Sequence, residues 1–111
     1  MNKVLQQLLK FRKDRDWNKY HTPQNIAQSI VLEAAEALEI FQWKPDNVEL
    51  SEKDKVNLGE ELADVYNWLL LLSHDIGIDL NEVALKKIKT NAKKYPITKS
   101  KGKATKYTEL K

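Results

Sequence analysis

Apolar residues recur every three to four positions in four segments of this 111-residue chain. That spacing places them on one face of an α-helix, so the pattern predicts helices over residues 3–13, 23–43, 52–75 and 80–94. Only three glycines and three prolines interrupt the chain, which favours long helices over many short strands. The pattern therefore predicts an all-α fold, a bundle of four to five helices in which the long helices run antiparallel.

The starts of three of these helices carry recognisable capping residues. Thr22 followed by Pro23 is typical of an N-cap and a first helical position, and the second helix should stop before Pro45. Ser51 and Asp79 are predicted to cap the third and fourth helices, since each has an acid three residues later. Local sequence thus predicts where the helices begin.

Charge is distributed unevenly along the chain. From Lys86 onward there are ten lysines and one acid, whereas the first 85 residues hold nine basic and fifteen acidic residues. The last segment, 97–111, is lysine-rich and lacks apolar periodicity, which is typical of a flexible tail. We therefore predict a helical domain over residues 1–96 and a basic tail over 97–111. Such a tail could bind nucleic acid or bring lysines to a small polyphosphate.

Composition indicates the cellular compartment and excludes some binding partners. The chain has no cysteine, so neither a disulfide nor a thiolate metal site is available. The N-terminus lacks the apolar core of a signal peptide, and the longest apolar run, residues 68–72, is too short to cross a bilayer. These features predict a cytoplasmic protein with no membrane partner.

The apolar faces of the second and third helices predict how the bundle is completed. On the second helix a stripe that includes Val31 and Leu38 is predicted to face the core. The second half of the third helix is apolar on nearly all sides, which predicts burial against more than one neighbour. Because a chain of this length has few other elements to cover that surface, we expect a homo-oligomer.

Four acids form the strongest chemical signal. Glu33 and Glu36 lie in an apolar stretch of the second helix, and Glu61 and Asp64 lie in an apolar stretch of the third. Residues three apart share a helical face, so each pair points in one direction. Four carboxylates that converge in an apolar bundle repel one another and lose hydration, and a hard divalent cation with oxygen ligands relieves both costs. We call these four residues the acidic quartet and predict that it binds Mg²⁺, with Mn²⁺ as a substitute; both fit the all-oxygen set better than Zn²⁺, and Ca²⁺ stays open on ligand type.

An aromatic residue follows each acidic pair. The helical face that carries the first pair continues to Trp43, and the face that carries the second continues to Trp68. A face of acids followed by an aromatic is typical of a cavity that holds metal ions at one end and a flat base at the other. The two tryptophans are therefore candidate walls of a ligand cavity, although tryptophans in general serve more often as packing residues.

Two other functions stay open on the residues alone. A single pair of acids on a helix is usually solvated, so the acids could instead pair with lysines across the interface of a purely structural helical dimer. The basic tail could make the chain a nucleic-acid-binding module. A Gly-rich phosphate loop does not occur in the sequence, so a P-loop mechanism is excluded.

From about Phe11 to Pro96 the chain resembles the MazG-like superfamily of all-α nucleoside triphosphate pyrophosphohydrolases, and is most similar to its dCTP pyrophosphatase branch. The motifs that carry the resemblance are Arg15-Asp16-Trp17 with His21-Thr22-Pro23, Glu33-Ala34-Ala35-Glu36 leading to Phe41-Gln42-Trp43, Glu60-Glu61-Leu62-Ala63-Asp64, Gly77-Ile78-Asp79-Leu80, and Lys87-Ile88 leading to Asn91 and Lys94-Tyr95-Pro96.

The resemblance implies a Mg²⁺-dependent enzyme that cleaves a nucleoside triphosphate between the α and β phosphates and releases a monophosphate and pyrophosphate. It implies dCTP or a related pyrimidine deoxynucleotide as substrate, a role in cleaning the nucleotide pool, and a homotetramer assembled as a dimer of dimers. Nucleic acid is not an expected partner of such an enzyme. The implied catalytic and metal-binding residues are Glu33, Glu36, Glu61 and Asp64. The implied substrate-binding residues are Trp17, His21, Trp43, Trp68, Asn91, Lys94 and Tyr95.

Overall fold

A computed structural model describes residues 2–110, and within that range the regular structure is helical, with no strand. The predicted all-α fold is confirmed. The elements are α1 (Lys3–Asp14), a 3₁₀ turn (Asn18–Tyr20), α2 (Pro23–Glu39), α3 (Glu52–Asp75), α4 (Leu80–Lys94), α5 (Ile97–Ser100) and a second 3₁₀ turn (Tyr107–Glu109).

The predicted capping residues begin the helices as expected. The Thr22 hydroxyl accepts a hydrogen bond from the backbone N–H of the third following residue, at 3.2 Å. The Ser51 and Asp79 side chains do the same at 3.1 Å and 3.2 Å. Asn2, which was not predicted, caps α1 by accepting from the Val4 N–H at 2.8 Å. Each cap satisfies backbone donors that have no partner inside the helix.

The predicted end of the second helix at Trp43 is wrong, because α2 ends at Glu39. Residues 40–44 form successive tight turns, and Trp43 has φ of +67°, in the left-handed region. Lys44 precedes a proline, which disfavours helical geometry there. Its Nζ donates to the Asp54 carboxylate at 2.7 Å and so ties the turn to the first turn of α3.

The three N-terminal helices form one packed group. α2 packs antiparallel against α3 as a hairpin, because Lys44 after α2 pairs with Asp54 at the start of α3, whereas Glu33, earlier in the chain, lies within 4.8 Å of Asp64, later in α3. Consecutive helices reverse direction, so α1 runs parallel to α3. Asn2 contacts Tyr66 at one end of this pair, and Arg12 contacts Asp75 at the other. These two contacts set α1 in register with the α3 residues about 63 positions later in the chain.

The apolar stripe predicted to face the core of α2 is exposed in the single chain. Val31 is 68% exposed and Leu38 is 70% exposed, so the prediction that they are core residues is wrong for one chain alone. Among the described residues only Ile26 and Leu71 are buried hydrophobic side chains. Within this group of helices α2 presents apolar side chains outward because α3 covers only its other face.

The chain divides at Gly77 into two compact units. The second unit, from Ile78 onward, contains α4, α5 and the last 3₁₀ turn. Within it the Tyr95 and Tyr107 rings pack edge to face, with centroids 5.9 Å apart, and Lys94 Nζ lies 4.7 Å from the Tyr107 ring centroid. The division into a domain of residues 1–96 and a tail stays a prediction. In the part of the chain that the structure describes, every helix is too short or too polar to cross a lipid bilayer.

Candidate active site

The acidic quartet lies where α2 and α3 cross in the hairpin. Carboxylate oxygens of Glu33, Glu61 and Asp64 all lie within 4.8 Å of one another. Glu36 is the fourth member and lies beside Glu33 and Glu61. The i, i+3 spacing brings each pair to one face, and the antiparallel packing of α2 on α3 brings the two faces together. The structure therefore gathers all four predicted acids at one place.

The electrostatics of the quartet are unfavourable in the absence of a cation. Burial raises the pKa of Glu33, and the neighbouring Glu36 carboxyl raises it further. Glu36 is also the main cause of the raised pKa of Glu61. The Oε2 atoms of Glu33 and Glu61 are buried and have no hydrogen-bonding partner among residues 2–110. Acceptors left unpaired in this way need a proton or a metal ion, and all-oxygen donors suit Mg²⁺ or Mn²⁺.

We expect Glu33→Gln to raise the melting temperature of the metal-free protein by a few degrees. The amide removes one of several converging negative charges while it keeps the size of the side chain. The same variant should gain less from added Mg²⁺ than the wild type does, and differential scanning fluorimetry with and without Mg²⁺ measures both effects. Glu60→Gln is the matched control, because Glu60 is exposed on the same helix as Glu61. A metal-free Glu33→Gln protein that melts below the wild type would contradict this expectation.

A cavity of about 640 Å³ opens beside the quartet, between α1, α3 and the connector that leads to α2. Glu33 and Asp64 form its acidic end. The α3 residues that line it are Asp64, Asn67, Trp68 and Leu71. Their i, i+3, i+4, i+7 spacing means that one face of α3 carries both the acid and the aromatic wall, as the sequence predicted for this helix.

The rings of Phe11, Trp17, His21 and Trp68 line the cavity. The His21 ring meets the Trp68 ring edge to face, with centroids 5.1 Å apart and an interplanar angle of 76°. Trp17 lies 6.3 Å from His21 on the other side, and Phe11 packs edge to face on Trp17 at 5.7 Å. Such contacts fix the rings without covering all of their faces, which leaves flat surface for a planar ligand.

Arg12, a buried residue that lines the cavity, forms an ion pair with the more exposed Asp75. The two terminal guanidinium nitrogens of Arg12 donate to the two carboxylate oxygens of Asp75 at 2.7 Å and 2.9 Å. Arg12 is only 7% exposed, and its Nε has no hydrogen-bonding partner in the described chain. The hydrogen bond to Asp75 raises the pKa of Arg12, so the guanidinium is charged throughout the pH range of folding. The pair fastens the end of α1 to the end of α3.

His21 should make stability depend on pH below neutrality. Burial lowers its pKa from 6.5, the Arg12 charge lowers it further, and Asp75 partly opposes both effects. The unfolded chain therefore takes up the proton first as pH falls, and stability that is present above pH 6.5 is lost as pH falls through the folded-state pKa. Chemical denaturation between about pH 7.5 and 5 should show a smaller loss in His21→Gln than in the wild type. Equal losses of stability in the two proteins would show that His21 does not cause the pH dependence.

The other predicted substrate-binding residues lie elsewhere. Trp43 is 93% exposed in the turn after α2, outside the cavity that Trp17, His21 and Trp68 line. Its predicted position on the helical face of the acids is wrong, because α2 has ended before it. Asn91 and Lys94 lie on α4 and Tyr95 follows it, all in the second unit. Roles in substrate binding stay predictions for these four residues.

Sequence analysis missed the contribution of α1. Gln7 and Arg12 line the cavity from this helix, and Asn67 does so from α3. The signal was present as a stripe at helical spacing on α1, which is Lys3, Val4, Gln7, Leu8 and Phe11, and all five line the cavity. The pairing of Arg12 with Asp75 joins residues 63 positions apart, so no local pattern predicts it.

The chain is an all-α protein in which a helical hairpin gathers four carboxylates beside an aromatic cavity. A sequence model of the MazG-like family matches residues 28–110, and the chain belongs to that family. Among curated proteins it is 38% identical over 104 residues to dCTP pyrophosphatase 1 of Bos taurus, which covers 90% of this chain and 62% of that protein. It is 36% identical over 104 residues to dCTP pyrophosphatase 1 of Homo sapiens, with 90% and 61% covered. The chain thus spans about three fifths of the length of these relatives.

A solved structure gives the same result for the fold. A pyrophosphatase from Archaeoglobus fulgidus superposes with a TM-score of 0.72 and is 41% identical in sequence. The match covers 84% of this chain and 89% of that one. The all-α architecture and the family membership therefore agree between sequence and structure.

Proposed function

We propose that the protein is a Mg²⁺-dependent nucleoside triphosphate pyrophosphohydrolase that acts on dCTP or a related pyrimidine deoxynucleotide and serves to clean the nucleotide pool. One observation carries the proposal: the acidic quartet converges at the end of a cavity whose middle is lined by Trp17, His21 and Trp68. The names of the relatives, dCTP pyrophosphatase 1 and pyrophosphatase, support this reaction and substrate. A cytoplasmic location stays a prediction.

The residues present fit a divalent metal ion. Buried, unpartnered oxygens on Glu33 and Glu61 are ligands in need of a cation, and Asp64 supplies a third oxygen within 4.8 Å. Glu36, beside both glutamates, completes the set of acids that would hold Mg²⁺. When bound, Mg²⁺ supplies charge neutralisation on phosphate oxygens and lowers the pKa of a bound water.

The reaction is a displacement at the α-phosphorus, and the residues of this chain position the substrate for it. Water adds to the α-phosphorus while the bond from that phosphorus to the bridging oxygen breaks, so a monophosphate and pyrophosphate leave and the proton of the water is released to solvent. Trp68 and Trp17 hold the base at a fixed distance from the quartet, which aligns the α-phosphorus for this displacement. The apolar walls at Leu8 and Leu71 exclude bulk water from the site. Positioning and electrostatics supply most of the rate acceleration in such reactions.

A panel of nucleoside triphosphates incubated with Mg²⁺ tests the proposal. Products are separated into nucleoside monophosphate, pyrophosphate and orthophosphate. We expect pyrophosphate and monophosphate in equal amounts, greatest turnover for pyrimidine deoxynucleotides, and loss of turnover with a chelator. Orthophosphate as the main product, or no turnover of any triphosphate, would contradict the proposal. Salt-sensitive DNA binding without turnover would favour a nucleic-acid-binding module instead.

We also propose that the chain assembles with copies of itself, as a dimer or as a tetramer formed from two dimers. The support is the outward apolar stripe of α2, Val31 and Leu38, and the exposed Leu62 of α3. Contiguous exposed apolar side chains of this kind mark association surfaces. Light scattering after size-exclusion chromatography should give a molar mass at least twice the 12.9 kDa of one chain. Leu38→Glu should lower that measured mass. A wild-type mass of one chain would contradict self-association.

A further inference from the structure

Two uncharged carboxamides line the cavity from opposite helices and have no role in the arrangement so far. Gln7 lies on α1 and Asn67 lies on α3. Neither side chain is hydrogen-bonded to another residue in the described range 2–110. A carboxamide offers one acceptor oxygen and two N–H donors. Free amides that line a ligand cavity are the groups expected to fix a ligand's orientation.

The two amides lie at different depths from the acidic end. Asp64 marks that end, and Asn67 follows it by three residues, which is about 4.5 Å along the helix axis at 1.5 Å per residue. The register of α1 on α3 places Gln7 level with residues 70–71 of α3. That level is about 10 Å beyond Asp64 along the axis.

A nucleotide aligned with this cavity would meet the two amides with different parts. Its phosphates lie at the acidic quartet, its sugar comes next, and its base is farthest from the acids. Asn67 is therefore level with the sugar, and Gln7 is level with the base. We propose that the Gln7 carboxamide pairs with the hydrogen-bonding edge of a cytosine base, an inference that rests on the nucleotide hydrolysis proposed above. The amide oxygen accepts from the 4-amino group, and the amide N–H donates to ring nitrogen N3.

Two other polar side chains that line the cavity, Arg12 and His21, match the edge of a cytosine less well. The terminal N–H groups of Arg12 both face Asp75. The Nδ1 of His21 is buried and has no hydrogen-bonding partner among residues 2–110, but a neutral imidazole carries its one donor and its one acceptor on nitrogens that point in diverging directions. The Gln7 carboxamide presents an acceptor and a donor side by side, which matches the adjacent 4-amino group and N3 of cytosine.

The test asks whether the Gln7 side chain recognises the 4-amino group of the base. kcat/KM is measured for dCTP and for the corresponding 2-pyrimidinone deoxynucleoside triphosphate, which lacks the 4-amino group. We expect the wild type to prefer dCTP by about tenfold, the typical value of one hydrogen bond, and Gln7→Met to show almost no preference. Calorimetric titration with dCMP and the 2-pyrimidinone monophosphate should show the same loss of discrimination without turnover.

Two variants control for indirect effects. Gln6→Met makes the same change at the preceding residue of α1, which is exposed as Gln7 is but does not line the cavity, so it should keep the wild-type preference. Asn67→Leu alters the cavity at the level of the sugar, so it should weaken both substrates equally and leave their ratio unchanged. Far-UV circular dichroism establishes that each variant is folded.

The outcomes separate this inference from the proposed function. An active Gln7→Met enzyme that keeps the full preference for dCTP overturns the role of Gln7 and leaves the proposed function standing. Loss of the preference in Asn67→Leu but not in Gln7→Met overturns it as well. A wild-type protein that hydrolyses no nucleoside triphosphate overturns both.

Discussion

Asp64→Asn should reduce kcat for pyrophosphate release by at least about 10³-fold, because it removes a negative ligand from the point where transition-state charge is neutralised. Asparagine keeps the shape of the side chain, so the hairpin of α2 and α3 stays folded. The metal-free variant should be at least as stable as the wild type, since one member of a mutually repelling set has lost its charge. Steady-state assays with dCTP at saturating Mg²⁺ measure the loss of activity, and thermal melting measures the stability.

A matched control separates this effect from a general change in charge. Glu60→Gln removes one acid from an exposed position of the same helix, outside the group of converging oxygens, and should keep near wild-type activity. The metal assignment also predicts that Mg²⁺ raises the melting temperature of the wild type and of Glu60→Gln but not of Asp64→Asn. An Asp64→Asn protein with most of its activity would remove the quartet from the mechanism.

Asp75→Ala should destabilise the protein by about 3 kcal/mol, because it leaves the charged and largely buried Arg12 guanidinium without its two carboxylate acceptors. The two terminal nitrogens of Arg12 would lose both acceptors, and its Nε already has none among residues 2–110. A loss of that size lowers the melting temperature of a chain this small by more than about 10 °C. Because the pair fastens α1 over α3, weaker binding of dCMP should accompany the loss of stability.

Two comparisons test whether the unpaired charge is the cause. The double variant Arg12→Met with Asp75→Leu removes both charges and fills the space with apolar atoms, so it should recover most of the lost stability. Asp14→Ala breaks the exposed pair between Lys10 and Asp14 and should hardly change stability. If the double variant is as unstable as Asp75→Ala, lost packing rather than an unpaired charge explains the effect.

Local chemistry made much of this fold predictable. Thr22, Ser51 and Asp79 each satisfy backbone donors within the next few residues, so their capping role depends on neighbours in sequence alone. The convergence of the acidic quartet was also predictable, because i, i+3 spacing puts each pair on one face and the connector of residues 40–51 is short enough for the two helices to pack antiparallel.

Other features depended on contacts that sequence spacing does not encode. The sequence pattern continued α2 to Trp43, but the reversal into α3 and the contact between Lys44 and Asp54 end it at Glu39. The stripe with Val31 and Leu38 reads as core by periodicity, yet α3 covers a different face of α2. Periodicity identifies an apolar face, whereas its burial depends on which neighbour the rest of the chain supplies.

The amino-acid sequence by itself determined the helices, their N-caps and the two acidic pairs, because each depends on residues within a few turns of one another, and its short motifs carried the resemblance to the MazG-like family. Only the tertiary structure decided that α1 forms a wall of the cavity, that Arg12 pairs with Asp75, that Gln7 lies about two helical turns beyond the acids, and that Trp43 lies outside the cavity. These features depend on the register of α1 against α3 and on the reversal between α2 and α3. Both are set by packing between helices that are distant in the chain, and local patterns carry no information about them.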